Sequence, residues 1–114
     1  DLKQLRSSEP DEHCLPTLVR EGATIGAGCI IGNNLSIGRF AMLGMGSVVT
    51  NSVADFHLAI GHPARSIGCI CRCGKLLIRF SEQGVFSKDE LSCEACTLRY
   101  RVKNGIVAEL DPPT

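Results

Sequence analysis

Thr17-Leu18-Val19-Arg20-Glu21-Gly22-Ala23-Thr24-Ile25-Gly26-Ala27-Gly28-Cys29-Ile30-Ile31-Gly32-Asn33-Asn34-Leu35-Ser36-Ile37-Gly38-Arg39-Phe40-Ala41-Met42-Leu43-Gly44-Met45-Gly46-Ser47-Val48-Val49 places an aliphatic residue at every sixth position. Val19, Ile25, Ile31, Ile37, Leu43 and Val49 mark the step, and Gly26, Gly32, Gly38 and Gly44 follow four of them. Two residues before each aliphatic stands a mostly small side chain: Thr17, Ala23, Cys29, Leu35, Ala41 and Ser47. A helix cannot gather these positions, because at 3.6 residues per turn each step of six rotates the chain by about 600°, a net of about 240°. A short strand, a glycine-assisted corner and another short strand can gather them. They build the faces of a triangular prism, with the aliphatic and the small residue two before it both pointing inward. Six hexapeptides make two such coils. Repeat folds usually need more units or a cap, so either upstream coils are absent or neighbouring chains supply the cover.

Composition limits what such a chain can do. The 114 residues carry 12 Lys+Arg against 12 Asp+Glu, a net charge of +0, with 44% hydrophobic and 21% charged residues. That is a globular composition, without the cationic excess that drives binding to phosphate backbones. No apolar run approaches the roughly 18–20 residues of a membrane span. There is no Trp, one Tyr and four Phe, so the core must be aliphatic. The chain starts at Asp1 without an initiator Met or a secretory pattern, as expected of a processed or incomplete chain. Seven cysteines in close pairs and an odd total favour a reducing, cytoplasmic setting and metal binding over a disulfide framework. Residues 1–16 read as a polar arm.

The six-residue pattern resembles the hexapeptide-repeat proteins, which are mostly acyltransferases. The resemblance, and nothing in the spacing, implies a left-handed parallel β-helix, against the usual right-handed preference of parallel crossovers. Gly44-Met45-Gly46-Ser47-Val48-Val49-Thr50, followed by Gly61-His62-Pro63-Ala64-Arg65, is similar to the end of that helix. There the resemblance implies a homotrimer that binds acetyl-CoA between subunits, with Gly44, Gly46 and Thr50 along the pantetheine arm and Pro63, Ala64 and Arg65 near the phosphates. Glycine admits close backbone approach and a guanidinium suits phosphate. The chain carries His62 where the family commonly has Asn, and Asn51 where a basic residue is common. The resemblance also implies a catalytic His from an upstream coil as general base. His13 and His57 match no such position, so the catalytic residue is unassigned and each reads as an exposed or structural His.

Beyond residue 68 the cysteines form a second pattern. Cys71-Arg72-Cys73-Gly74 and Cys93-Glu94-Ala95-Cys96 have the separation of a two-knuckle zinc ribbon. Four thiolates suit a closed, structural Zn²⁺ and leave no open position for catalysis. Cys69 is a third candidate in the first knuckle; Cys71 and Cys73 are preferred because Gly74 lets the chain turn over the metal. The alternative is a redox dithiol or spare thiols. Cys29 reads as an inward core residue and Cys14 as an incidental thiol. Strands are expected over 75–80, 98–103 and 106–110, with Asn104-Gly105 as a type I′ turn. The reading is therefore all-β: a polar arm (1–16), a short β-helix with its connector (17–68), and a zinc-ribbon-like module (69–114).

Pro16-Thr17-Leu18-Val19, Gly22 to Ala27, and Arg65 to Gly74 together narrow the resemblance to the carboxy-terminal half of bacterial nucleotide-sugar N-acetyltransferases. Those enzymes acetylate an amino group on a nucleotide-linked sugar for surface polysaccharide. The alternative is a non-catalytic trimeric assembly module with structural zinc. A nucleic-acid-binding ribbon using Arg72, Lys75, Arg79, Arg99, Arg101 and Lys103 ranks third, because an ordinary solvated face accounts for those charges.

Overall fold

A computed structural model describes residues 16–80 and 87–112. The described residues are all strands and turns; they contain no helix, and so none long and apolar enough to cross a membrane. The polar arm lies, apart from Pro16, outside them, and so do His13 and Cys14.

Six two-residue strands repeat every six residues: β1 (Leu18–Val19), β2 (Thr24–Ile25), β3 (Ile30–Ile31), β4 (Ser36–Ile37), β5 (Met42–Leu43) and β6 (Val48–Val49). The first three each pair in parallel with the strand eighteen residues on: Leu18 with Ser36, Thr24 with Met42, Ile30 with Val48. Three hexapeptides therefore make one turn of a parallel β-coil, and the described residues make two. The expected inward set packs together, with Ile37, Ala41, Leu43, Ser47 and Val49 buried and Ala23, Cys29, Ile31 and Leu35 against them. Burial is graded along the axis. Leu43 is 1% exposed, whereas Ile25, its partner one coil earlier, is 41% exposed and Val19 is 51% exposed.

The corners differ from expectation. The positive-φ residues are Gly22, Gly28, Asn34, Phe40 and Gly46, three positions after each aliphatic rather than one. Gly26 and Gly38, directly after their aliphatics, serve close approach between coils. A Cβ on Gly26 would lie 2.7 Å from the Leu43 carbonyl oxygen, and one on Gly38 only 2.4 Å from the Asp55 nitrogen. Adjacent rungs of a parallel coil run so near each other there that only hydrogen fits.

After β6 the chain bridges Val53 onto Ile37, extending the first face. β7 (His57–Gly61) then pairs parallel to β5, and β8 (Ala64–Ile70) and β9 (Leu76–Arg79) continue antiparallel, giving the order β2-β5-β7-β8-β9. The coil thus passes into the tail through one continuous sheet. A second sheet comprises β10 (Lys88–Ser92), β11 (Arg99–Lys103) and β12 (Ile106–Glu109). Asn104 and Gly105 both have positive φ, the backbone of the expected type I′ turn. β10 was not expected, since of Lys88-Asp89-Glu90-Leu91-Ser92 only Leu91 is apolar, and it alone is buried.

The two parts meet along an aromatic column. Phe40 stacks on Phe56 at 5.7 Å, Phe56 meets Tyr100 at 5.4 Å, and Arg72 lies 4.2 Å above the Phe40 ring. The Arg72 guanidinium also grips Glu109 through two hydrogen bonds, and Arg39 lies 3.6 Å from the same carboxylate. Bidentate geometry and partial burial make this contact more than a surface ion pair.

Candidate functional site

Strands β7 and β8 turn through Gly61-His62-Pro63-Ala64, with a cis His62–Pro63 peptide and Gly61 at φ 111. The turn sits beside the corner between β5 and β6. The Gly61 amide donates to Ser47 Oγ at 3.1 Å, and a Cβ on Gly44 would lie 2.8 Å from the Ile60 side chain. Of the expected donor residues, Gly44, Gly46, Pro63, Ala64 and Arg65 therefore occupy one neighbourhood. Thr50 is exposed just past β6, toward the next face of the coil. Gly46, Pro63 and Arg65 are exposed, and Arg65 has no ion-pair partner among the described residues. An exposed guanidinium on a hairpin packed against this corner, with Gly46 open to solvent, can receive a phosphorylated ligand.

The second constellation lies at the far end of β8. The sulfurs of Cys71, Cys73, Cys93 and Cys96 all fall within 4.8 Å of one another, with Cys71 to Cys96 at 3.3 Å and Cys73 to Cys93 at 3.6 Å. Four thiolates around Zn²⁺ at about 2.3 Å stand about 3.8 Å apart, so the set fits a tetrahedral ion. The two knuckles are built alike. Gly74 N donates to Cys71 O and Thr97 N to Cys93 O, and the residue after each second cysteine, Gly74 or Thr97, has positive φ. Burial raises the Cys93 thiol, but hydrogen bonds from the Cys96 and Ala95 amides, with the Cys73 and Cys71 thiols, outweigh it and bring it down to about 7. A thiol so placed ionises readily, as a metal ligand must. Cys69, the rival ligand, points elsewhere: it is fully buried opposite His57, and burial pushes it up to about 11. All six described cysteines are free thiols.

Three residues make contacts that spacing along the chain does not reveal. Tyr100, completely buried, accepts a hydrogen bond from the Arg72 amide at 3.1 Å and sets its hydroxyl 3.1 Å from Cys71 Sγ. The alternation of Arg99, Tyr100, Arg101 and Val102 signals that Tyr100 faces inward, but not which cysteine it meets. His57 was expected to be structural or exposed, and it ties the two parts together. Its Nε2–H donates to the Gly105 carbonyl at 2.6 Å, which leaves Nδ1 to accept from Ser66 Oγ at 2.8 Å. With both nitrogens engaged, His57 has none free for an acceptor substrate. Glu109 is the third, gathering Arg72 and Arg39 across the junction.

No family model matches the chain. It is 42% identical over 94 residues to the dTDP-3-amino-3,6-dideoxy-alpha-D-galactopyranose 3-N-acetyltransferase of Aneurinibacillus thermoaerophilus, covering 82% of this chain and 45% of that enzyme. It is 47% identical over 49 residues to the serine acetyltransferase of Haemophilus influenzae, covering 43% of this chain and 18% of that enzyme. These homologues are acetyltransferases. The crystal structure of Neisseria gonorrhoeae serine acetyltransferase superposes with a TM-score of 0.50 at 31% identity, over 54% of this chain and 24% of that one. The chain spans less than half the length of either curated relative. Any unbroken 94-residue stretch of 114 residues includes 21–94, so the similarity to the amino-sugar enzyme runs from the coil into the cysteine module.

Proposed function

We propose that this chain is the acyl-donor-binding, carboxy-terminal part of an acetyltransferase that moves the acetyl group of acetyl-CoA to an amino group on a nucleotide-linked sugar. The observation that carries the reading is the exposed Arg65, without an ion-pair partner among the described residues, on the hairpin that packs against the glycine corner at Gly44–Gly46. In this reading Gly44, Gly46 and Thr50 flank the pantetheine arm and Pro63, Ala64 and Arg65 meet the phosphates. The long match to the dTDP-amino-sugar enzyme favours a sugar amine over serine. The amine attacks the thioester carbonyl, a C–N bond forms, the C–S bond breaks, CoA leaves as thiolate, and the amine's proton passes to a base. Donor binding supplies position for that attack. In this reading the base is a His of an upstream coil, as the resemblance implies, and not His57, whose two ring nitrogens are engaged.

The proposal includes a left-handed coil, a homotrimer with the donor in the groove between subunits, and a cytoplasmic setting consistent with the free thiols. It divides the chain at residue 68, with residues 17–68 forming the coil and its connector. Residues 69–114 form a ribbon in which Cys71, Cys73, Cys93 and Cys96 hold a structural Zn²⁺. The half-exposed Val19 and Ile25 support an incomplete coil, one that stacks on further rungs in a longer chain. The engaged His57 favours one second reading, a non-catalytic trimeric assembly module.

Calorimetry with acetyl-CoA separates the two. Saturable binding that falls at least tenfold in Arg65→Ala is expected of the donor site. No binding by a folded oligomer leaves the assembly module. Acetyl transfer assayed with a dTDP-linked amino sugar and with serine, in the presence of the remaining coils, then identifies the acceptor.

A further inference from the structure

We infer that the four-thiol cluster is a brace for the donor hairpin, so that metal and acetyl-CoA bind this chain with positive linkage. The linkage to acetyl-CoA rests on the donor reading above; the brace itself does not.

Strand β8 carries Arg65 near its first residue and delivers Cys71 immediately after its last. It is the outer half of the hairpin. β7 is zipped to the coil through β5, whereas β8 pairs with no coil strand among the described residues, meets the coil's buried cluster only through Ala64 at its start, and is paired on its outer side by β9. Whatever fixes the tail therefore fixes β8.

Two routes lead from the tail to that strand. At the Cys71 end, Tyr100 holds the Arg72 amide and contacts the Cys71 sulfur, while Glu109 clamps the Arg72 side chain. At the Arg65 end, the Gly105 carbonyl in the β11–β12 turn holds His57, and His57 holds Ser66, next to Arg65. Both routes start on the three-stranded ribbon, whose own buried side chains are few: Leu91, Tyr100, Val102 and Val107. A sheet of that size is marginal alone. The metal that joins Cys93 and Cys96 to Cys71 and Cys73 supplies what the core lacks. Losing it frees β8 at both ends while β7 stays on the coil. Linkage is reciprocal, so acetyl-CoA should in turn slow metal loss.

The test uses the full chain loaded with zinc, its metal content measured, and amide hydrogen exchange followed over residues 57–70. Chelation is expected to raise exchange at 64–70 while 41–43 keep their protection, and to weaken acetyl-CoA binding by about tenfold, within the usual range of coupling between sites. Ser66→Ala cuts the second route without touching a thiol; it should keep its zinc and still exchange faster at 64–66. A chain that takes up no zinc, or unchanged exchange at 64–70 after complete zinc removal, overturns the brace. So does a Ser66→Ala protein with unaltered exchange. If exchange responds to zinc but the loaded protein binds no acetyl-CoA, the donor reading fails, the linkage falls with it, and the brace stands.

Discussion

The coil and the ribbon bury their interiors by different means. The coil repeats one small layer, so that Ile37 and Leu43 are covered by chain on either side of them, and coverage fails toward the first rung, where Val19 is half exposed. The ribbon has no repeat to lean on. It gathers Leu91, Tyr100, Val102 and Val107 around a thiol cluster and rests against the coil through Phe56 and Phe40. Repetition makes stability a sum over neighbouring layers; a single small core needs a staple, the role proposed here for the metal.

Metal removal should separate the halves most sharply. A structural zinc contributes on the order of 10 kcal/mol to small metal-folded modules, so if the four thiols hold it as proposed, chelation or Cys93→Ser should abolish exchange protection across β10–β12 and leave the second coil protected. Equal protection in both halves after zinc loss would erase the distinction.

Within the coil, position along the axis should set the cost of truncation. Leu43→Ala should lose about 2–5 kcal/mol in denaturant unfolding, because it opens a cavity between covered rungs. Ile25→Ala, at the matching place one rung earlier, should lose much less, about 1 kcal/mol. Equal losses would mean that the first rung is covered in solution.

The glycines offer a finer comparison. Gly38→Ala drives a Cβ against backbone atoms of Ala54 and Asp55 and should cost about 1–3 kcal/mol. Gly32→Ala meets its neighbours only at 3.5 Å and should stay within about 0.5 kcal/mol of the parent. Both can be read from shifts in the unfolding midpoint.

The smallest effect should lie on the ribbon surface. Arg99 pairs with Asp111 and Glu90 and holds the Asp111 carboxyl below its usual range. A carboxyl depressed in the folded state contributes stability above its unfolded value, about 3.9, and loses it as pH falls through the folded value. Arg99→Ala should remove that acid-side slope and change little at neutral pH, because the pair is solvent-screened. Unfolding curves at stepped pH would detect it.

Much of the coil was legible because its information is local and periodic. A step of six with aliphatics and small residues two apart admits one way of sharing an interior, and the inward set found at Ile37, Ala41, Leu43, Ser47 and Val49 follows from it. The knuckle cysteines and the Asn104-Gly105 turn were legible for a similar reason, since each depends on residues a few positions apart. The corner geometry was not. Gly26 and Gly38 look like turn residues in one dimension, and only the passage of the next rung explains why they have no side chain. Long-range pairings were invisible altogether: Tyr100 on Cys71, Glu109 on Arg72, and His57 between Ser66 and Gly105 join residues 9 to 48 positions apart. The amino-acid order determined the periodic coil, its inward residues and the two cysteine knuckles, because each is a matter of spacing along the chain. Only the tertiary structure decided which thiols converge, why Cys69 stays apart and how the tail grips β8, because distance in space between remote segments is set by packing and not by spacing.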